Sequence, residues 1–378
     1  MEKMGVGIIG AGNISTAYLR LAPMFKALEV RAIADLNMET AQAQADAFGV
    51  RAETVDGLLG ADDIDVVVNL TIPDAHFQVS KTVLEAGKHV YSEKPFVLTL
   101  EEGQQLKEIA DAKGLRIGSA PDTFLGGVHQ LARAKVDGGA IGKIIAGSAH
   151  VMGHGMEHWH PNPDFFFLPG AGPVLDIGPY YITHFVQLIG PVKRVTSLAN
   201  ATFAERTITT DCPRKGEKVP VKTPTNIHAL LEFENGATVT FSASWDIWAH
   251  RHANMELYGE NGSMFVPDPN FFGGTLEASG ESSEISEVPN WDHPFGVLND
   301  EKHDPPQANY RCAGLADMAQ AIREGRDHRC SYEMCLHVVE VMTSIVAAGE
   351  QGRWIDLTTT CSRPSRIACA MSARPAQR

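Results

Sequence analysis

A glycine-rich stretch near the N-terminus has the residue types needed to hold a phosphate group. Gly10 and Gly12 follow a short apolar run and precede a helical pattern. Glycine lets a backbone approach a ligand closely, and the first N–H groups of a helix have no partner within the helix. The turn therefore predicts a site for the pyrophosphate of a dinucleotide, with Asn13 and Ile14 beside it. A purely structural glycine turn is the alternative.

An acidic residue, Asp35, ends the second apolar run. A carboxylate at this point can accept hydrogen bonds from the adenosine ribose hydroxyls, and its charge would repel a 2′-phosphate. The next residues, 36–38, include no arginine to hold such a phosphate. We therefore expect NAD(H) to be preferred over NADP(H). A carboxylate that only caps a helix is the alternative.

The elements that must position these residues follow from the apolar pattern. The first third of the chain alternates short apolar runs with helical stretches, which is typical of βαβ units and a parallel sheet. From about residue 144 the pattern changes to strict alternation, most clearly at 237–245, and predicts antiparallel strands with one buried face. Asn235-Gly236 predicts a tight hairpin to a partner strand at 227–234.

The C-terminal region has two predicted helices and a predicted frayed end. Apolar residues at helical spacing near Met318 and near Met342 predict two amphipathic helices, and we expect the chain to fray from about Thr358. Residues 207–224 and 304–306 are expected to form surface loops. We predict three segments: a nucleotide-binding domain at 1–122, a substrate and oligomerisation domain at 123–360, and a flexible tail at 361–378.

Composition and charge exclude several classes of protein. The 378 residues have ordinary globular composition, and 32 Lys+Arg against 46 Asp+Glu give a net charge of −14. That charge disfavours nucleic acid and anionic membranes as partners. No apolar run approaches the roughly 20 residues of a membrane span, so we expect a cytoplasmic protein. The six cysteines lack zinc or C-x-x-C spacing, and we expect reduced, non-catalytic thiols.

Two further motifs, together with the glycine turn, make the sequence resemble a known family. They are Thr71-Ile72-Pro73-Asp74-Ala75-His76 and Glu93-Lys94-Pro95. Over residues 4–350 the chain resembles the Gfo/Idh/MocA sugar and polyol dehydrogenases. The resemblance implies an α/β Rossmann domain, a second α+β domain built on a large, mostly antiparallel open sheet, and bound NAD(H) or NADP(H). The cofactor-binding residues that it implies are Thr71, Ile72, Pro73, His76, Glu93 and Lys94.

The resemblance also implies that Lys94 touches both nicotinamide and substrate. Oxidation of a secondary alcohol needs a group that exchanges a proton at the oxygen while the C–H hydride leaves. An ammonium group can hydrogen-bond that oxygen and stabilise the developing alkoxide. An ordinary surface lysine is the alternative.

Residues 170–180 resemble the family's glycine-rich turn followed by D-x-G-x-H, with Tyr180 in place of the histidine. Asp176 is the candidate for binding substrate and orienting Lys94, and a helix cap is the alternative. We expect a helix from Pro179 to about Leu188. Its polar face is expected to point into the substrate cleft, and its members are Tyr180, Thr183, His184 and Gln187.

Replacing histidine by tyrosine leaves two candidates for the acid/base. A phenol has an ordinary pKa near 10, which is too high for a base at neutral pH unless an ammonium such as that of Lys94 lowers it. Tyr180 is the first candidate. His184, one helical turn further on, is the second, and as a substrate-binding residue it would share the cleft.

A segment rich in histidine and aromatic residues precedes this helix, at 154–167. His158-x-His160 lacks a third ligand at zinc spacing, and the family is not metal-dependent, so we expect no metal. Trp159 and His160 are predicted to bind a polyol, because aromatic faces stack on sugar C–H groups while imidazoles bind hydroxyls. Simple loop packing is the alternative.

Three functions are consistent with these residues. The first is an NAD-dependent dehydrogenase acting on a secondary hydroxyl of a sugar, glycoside or inositol-like polyol. The second is a glycoside hydrolase that uses bound NAD transiently, and the third is a non-catalytic sensor of nucleotide or sugar. Intact Lys94 and Asp176 argue against the sensor. We also expect a homodimer or homotetramer, formed through the polar outer face of the second sheet.

Overall fold

The computed structural model describes residues 3–301 and 306–367. Its contacts divide the chain into two compact units. Among the described residues, unit 1 consists of 3–127, 292–301, 306–339 and 364–367, and unit 2 of 128–291 and 340–363. The first segment of unit 1 thus ends close to the predicted limit at 122. The sequence suggested continuous domains, with the described residues of 292–339 in the second one, but the structure assigns them to unit 1.

Unit 1 contains a parallel sheet with helices between its strands. The strands are β1 (Met4–Ile9), β2 (Leu28–Ala34), β3 (Arg51–Glu53), β4 (Val66–Asn69), β5 (His89–Ser92) and β6 (Ile117–Ser119). The helices between them are α1 (Asn13–Leu21), α2 (Met38–Phe48), α3 (Val55–Gly60), α4 (Pro73–Glu85) and α5 (Leu100–Lys113). Every pairing is parallel, in the order β3-β2-β1-β4-β5-β6. This is the Rossmann order, and it confirms the predicted α/β fold.

Unit 2 is built on a larger, mixed sheet. Its helices are α6 (Gly127–Asp137), which starts at the unit boundary, and α7 (Pro173–Leu188). Its strands are β7 (Ile144–Met152), β8 (Val192–Asn200), β9 (Glu205–Thr207), β10 (Lys218–Pro220), β11 (Asn226–Phe233), β12 (Thr238–Ser244), β13 (Met255–Gly259), β14 (Gly262–Val266), β15 (Glu277–Ser279), β16 (Ser286–Glu287) and β17 (Ile355–Asp356). The large sheet has the order β16-β15-β14-β13-β7-β12-β11-β8-β17, in which only the β7–β12 pair is parallel.

The predicted hairpin and strand alternation are confirmed in unit 2. Strand β11 pairs with β12 across Asn235-Gly236, where Gly236 has φ +88°. On β12, Val239 and Phe241 are buried whereas Thr238 and Thr240 are exposed. Phe241 contacts Tyr181 of α7, so this helix packs on the apolar face of the sheet. The second predicted domain type, an α+β unit on a mostly antiparallel sheet, is therefore confirmed.

Several local expectations need correction. Helix α7 begins at Pro173, not Pro179, because the turn at Gly172 (φ +98°) and a proline at the first helical position start it earlier. The predicted loop 207–224 contains β10, whose Val219 is buried in a small apolar core with Ile208 and Trp245. Residues 304 and 305 of the other predicted loop, 304–306, lie outside the described residues.

The C-terminal helices are α8 (Ala313–Glu324) and α9 (Tyr332–Gln351), as predicted. Among the described residues, α9 is the one helix long and apolar enough by composition to cross a membrane. In its most apolar window, 67% of the residues are buried inside the structure, as in a core helix.

The expected fraying from Thr358 is also corrected, over its described part. Thr358 and Thr359 each donate two hydrogen bonds to the Glu340 carboxylate, and Arg329 donates to the carbonyls of Ser365 and Arg366. The predicted flexible tail beyond Ile367 lies outside the described residues.

Candidate active site

The carboxyl ends of β1, β2, β4 and β5 meet at one edge of the parallel sheet, and the predicted cofactor residues of unit 1 follow these ends. Gly10 has φ +105°, and a Cβ on it would lie 2.6 Å from the Leu70 carbonyl oxygen, so only glycine fits there. A Cβ on Gly12 would meet no atom within 4 Å. Gly12, Asn13 and the N-terminus of α1, which no side chain caps, are thus open to a ligand.

Asp35 is fixed beside this turn. Its carboxylate accepts the Ala11 N–H at 2.7 Å through Oδ2 and the Asn37 N–H at 2.9 Å through Oδ1. Each oxygen keeps a further lone pair for a hydroxyl donor. Three features therefore fit the pyrophosphate and ribose of a dinucleotide: the glycine turn, the uncapped helix N-terminus and the fixed carboxylate.

The motif at 71–76 begins α4, with Ile72 68% exposed and Pro73 in the first turn. Thr71 donates through both N–H and Oγ1 to Asn69 Oδ1. His76 is buried, with Nδ1 2.7 Å from the Pro95 carbonyl oxygen and Nε2 3.1 Å from that of Thr71. Burial lowers the pKa of His76. This arrangement corrects the prediction that the His76 side chain binds cofactor: it connects the start of α4 to the Glu93-Lys94-Pro95 turn.

The Glu93 side chain is also unavailable to a ligand. It is 7% exposed, Oε2 accepts the Lys94 N–H at 3.0 Å, and Oε1 accepts the hydroxyl of Tyr18 at 3.0 Å and a guanidinium N–H of Arg311. Lys94 follows β5 at the same sheet edge as the glycine turn, and it is half-buried. Sequence reasoning missed Tyr18 and Arg311, because nothing in their spacing indicates that they converge on Glu93.

The candidate catalytic residues of unit 2 lie on α7. Asp176 is in its first turn, half-buried, and Tyr180 is 5% exposed in the next turn. Thr183, His184 and Gln187 are buried, and His184 Nδ1 is 2.7 Å from the Tyr180 carbonyl oxygen.

All four members of the predicted polar face are thus buried, which corrects the expectation that this face opens into a cleft. The His184 ring packs edge-on against His129 of α6, with centroids 4.3 Å apart. Burial, and then His129, lower the pKa of His184 well below its ordinary value. A buried, neutral imidazole packed in this way is a poor candidate for contact with substrate.

The aromatic segment forms one cluster in unit 2. Trp159 is 54% exposed and contacts His160 and Phe166 edge-on, and His160 Nδ1 accepts the Asn162 N–H. The Gly172 N–H donates to the Phe166 carbonyl, which ties this segment to the turn before α7. Within residues 3–301 and 306–367 there is no group of three or more His, Cys, Asp or Glu able to hold a metal ion.

A buried ion triad supports this loop, and the sequence did not reveal it. The Arg206 guanidinium donates to Glu157 Oε1 at 3.0 Å, to the Trp245 carbonyl at 2.9 Å and to Asp246. Glu157 lies two residues before Trp159, and its carbonyl accepts the N–H groups of Thr209 and Thr210. Charged pairs separated in sequence carry no pattern that predicts such a contact.

Comparison with known proteins agrees with the fold. Residues 4–120 match the model of an oxidoreductase family with an NAD-binding Rossmann fold, and residues 129–265 match the GFO/IDH/MocA C-terminal domain. The chain belongs to the Gfo/Idh/MocA family and is an NAD(P)-dependent oxidoreductase.

Its relatives include sugar dehydrogenases. Levoglucosan dehydrogenase of Pseudarthrobacter phenanthrenivorans is 28% identical over 293 residues, 70% of this chain and 73% of that protein. D-glucoside 3-dehydrogenase of Escherichia coli is 27% identical over 265 residues, 68% and 74% of the two chains. A structure of levoglucosan dehydrogenase with NADH has a TM-score of 0.78 at 23% identity, covering 95% of this chain and all of that one, which shows a shared fold.

Proposed function

We propose that this oxidoreductase transfers hydride between the nicotinamide and a secondary hydroxyl of a sugar, glycoside or inositol-like polyol. The observation that carries the proposal is the position of Lys94, which follows β5 at the sheet edge that also carries the glycine turn and Asp35. When bound, the cofactor supplies the hydride acceptor or donor. Lys94 hydrogen-bonds the substrate oxygen and stabilises the alkoxide as it develops.

On unit 2 we propose roles for four residues. Asp176 binds the substrate, and Tyr180 exchanges the proton at the oxygen. Trp159 and His160 bind the rest of the ring, because a half-exposed indole beside an imidazole suits a sugar with one apolar and one hydroxylated face. The relatives named above, which act on levoglucosan and D-glucosides, support a carbohydrate substrate.

For the cofactor we propose a preference for NAD(H). The Asp35 carboxylate is fixed by two backbone N–H groups, and residues 36–38 include no basic side chain that could bind a 2′-phosphate. The fixed negative charge repels the 2′-phosphate of NADP(H), and the carboxylate oxygens can accept hydrogen bonds from the ribose hydroxyls of NAD(H).

The test of the proposed function is a panel of monosaccharides, glycosides and inositols incubated with NAD+ and followed by NADH absorbance. We expect stoichiometric NADH formation with at least one of them. Glycoside cleavage without net NADH would favour the transient-NAD hydrolase, and NAD binding with no chemistry on the whole panel would favour the sensor.

We further propose that the protein is cytoplasmic. We also propose that it assembles into a homodimer or homotetramer through the outer face of strands β8, β11 and β12. On this face Leu198 is 78% exposed and Leu230 is 49% exposed, among exposed threonines. Apolar side chains on a flat, otherwise polar sheet suit a second copy of the same face.

A further inference from the structure

The turn that carries Lys94 rests on a buried carboxylate in unit 1. Glu93 Oε2 accepts the Lys94 N–H at 3.0 Å, so the position of this carboxylate fixes the peptide that begins Lys94. Its Oε1 accepts the Tyr18 hydroxyl at 3.0 Å and an Arg311 guanidinium N–H at 2.5 Å. One oxygen therefore faces the candidate catalytic lysine, and the other is bound by groups from α1 and from the segment before α8.

The burial of this cluster makes Arg311 important for the charge of Glu93. Tyr18 is 1% exposed, and the side chains of Arg311 and Glu93 are 18% and 9% exposed. Burial alone would raise the pKa of the Glu93 carboxyl, but Arg311, followed by the N–H and ammonium of Lys94, holds it below its ordinary value. A buried carboxylate that loses its ion partner is strongly disfavoured in its charged form.

Arg311 is itself held in place by an unusual backbone. The next residue, Cys312, has φ +87°, the one left-handed non-glycine residue in the described chain, and it starts α8. Its Sγ lies 3.8 Å from the Tyr18 carbonyl oxygen, and the Arg311 N–H donates to Asn309 Oδ1. Strained conformations of this kind persist where the surroundings impose them, and they cluster at functional sites.

We propose that Arg311 is a positioning residue for Lys94, acting through the buried Glu93 carboxylate. The proposal rests on the proposed function, and it adds a residue distant in sequence to the machinery of the reaction. Arg311 contacts neither substrate nor cofactor in this role. It keeps Glu93 ionised and in place, and Glu93 keeps the Lys94 peptide in place.

The test is a double-mutant cycle of Arg311→Met and Glu93→Gln. We expect Arg311→Met to lower kcat roughly 10- to 100-fold, because small displacements of a catalytic group cost rates of that order, while NADH affinity changes little. On the Glu93→Gln background the same Arg311→Met change should cost much less, because no buried charge is left to compensate. Arg326→Met is the matched control, since Arg326 pairs with the buried Asp317 carboxylate in the same unit.

The pH profile separates positioning from simple stabilisation. The groups that face Glu93 are Tyr18, Arg311, Lys94, Asp122, whose pKa burial raises to about 6, and Cys312. Without Arg311 the pKa of Glu93 rises, so kcat of Arg311→Met should fall on the acid side, and this fall should be absent from the double variant. The proposal would be overturned if Arg311→Met caused the same loss of kcat and the same pH profile in the wild type and in the Glu93→Gln variant.

Two further measurements cover other outcomes. If Arg311→Met does not fold, Arg311→Lys, which keeps the charge but not the fork of donors, should still lower kcat at unchanged NADH affinity, and an unchanged kcat would overturn the proposal. The rate of Lys94 acetylation, followed by mass spectrometry, should change in Arg311→Met and not in Arg326→Met. Acetylation is measured without substrate turnover. If the enzyme is inactive on every sugar, the proposed function is refuted, but the acetylation rates still test whether Arg311 positions Lys94.

Discussion

Asp35 is the residue on which the cofactor preference depends. Because its carboxylate is fixed beside Gly10 and Gly12, we expect tighter binding of NADH than of NADPH in fluorescence titrations. Asp35→Ala should weaken NADH binding roughly 10- to 100-fold, which corresponds to the loss of a charge-assisted hydrogen bond. It should also narrow the difference in affinity between NADH and NADPH. Asp62→Ala, which removes an exposed carboxylate in the same unit, is the control. Equal affinities in the wild type would refute the Asp35 argument.

Lys94 and Tyr180 have separable kinetic effects. Lys94→Ala removes an interaction that strengthens as the alkoxide forms, so kcat should fall roughly 10²- to 10³-fold while NADH affinity changes little. Tyr180→Phe keeps the ring but removes the hydroxyl, so kcat should fall and its pH profile should change.

His184 provides the contrasting result. Because it is buried against His129, His184→Ala should lower thermal stability and leave the pH profile of kcat as in the wild type. A full rate for Tyr180→Phe together with an inactive but folded His184→Ala would make the histidine the acid/base. Near-normal kcat for Lys94→Ala would favour the sensor.

At the scale of elements, the contact between α6 and α7 should make stability depend on pH. Burial lowers the pKa of His129 to about 4 and that of His184 well below its ordinary value of 6.5. Between about pH 6.5 and 4 the unfolded chain therefore binds more protons than the folded one, so the free energy of unfolding decreases as pH falls through this range. For His129 alone the decrease approaches about 3 kcal/mol at pH 4.

Urea unfolding at pH 7 and at pH 5 measures this effect. His129→Gln should reduce the difference in unfolding free energy between the two pH values. His158→Gln, at an exposed histidine in the same unit, should leave it unchanged. An unaltered difference in His129→Gln would show that other groups cause the acid sensitivity.

The Glu340 carboxylate is one of the groups that hold the segment after α9. Glu340 accepts two N–H and two hydroxyl donors from Thr358 and Thr359, which outweigh burial and lower its pKa. Its contribution to stability is therefore present above pH 4.5 and is lost as pH falls through the lower pKa of the folded state. Glu340→Gln should lower the unfolding free energy by about 1–3 kcal/mol and speed hydrogen exchange at 358–359. Glu350→Gln, exposed on the same helix, should do neither.

At the scale of the whole molecule, the exposed leucines of the large sheet predict self-association. Light scattering at micromolar concentration should give a mass of two or four times the 40.9 kDa chain. Leu198→Glu with Leu230→Glu should give the monomer, because charges on a buried apolar contact are strongly unfavourable. Ile285→Glu, at an exposed apolar residue before β16, is the control. If the wild-type protein scatters light as a monomer at micromolar concentration, the proposed self-association is wrong.

Local patterns were enough to predict the parallel sheet, the hairpin at Asn235-Gly236 and the turn at Gly10, whereas the large second sheet was implied by the resemblance to the family. These features depend on the period of apolar residues and on backbone freedom, which are properties of neighbouring residues in the chain. The full two-domain fold followed only from the family resemblance, which the glycine turn and the motifs at 71–76 and 93–95 carry. The start of α7 was misplaced because Pro173 and Pro179 both fit a first helical turn, and only the Gly172 conformation decides between them.

Contacts between distant residues were decided by the tertiary structure alone. Glu93 and Arg311 are far apart in sequence, and so are Glu157, Arg206 and Asp246, yet each set forms one buried group of charges. His76 and His184 have the residue type of a binding or catalytic group, and packing assigns them to the interior. A side chain's type limits the chemistry that it can perform. Whether it meets solvent, a carbonyl or another ring depends on which elements pack around it, and the sequence near that residue does not contain this information.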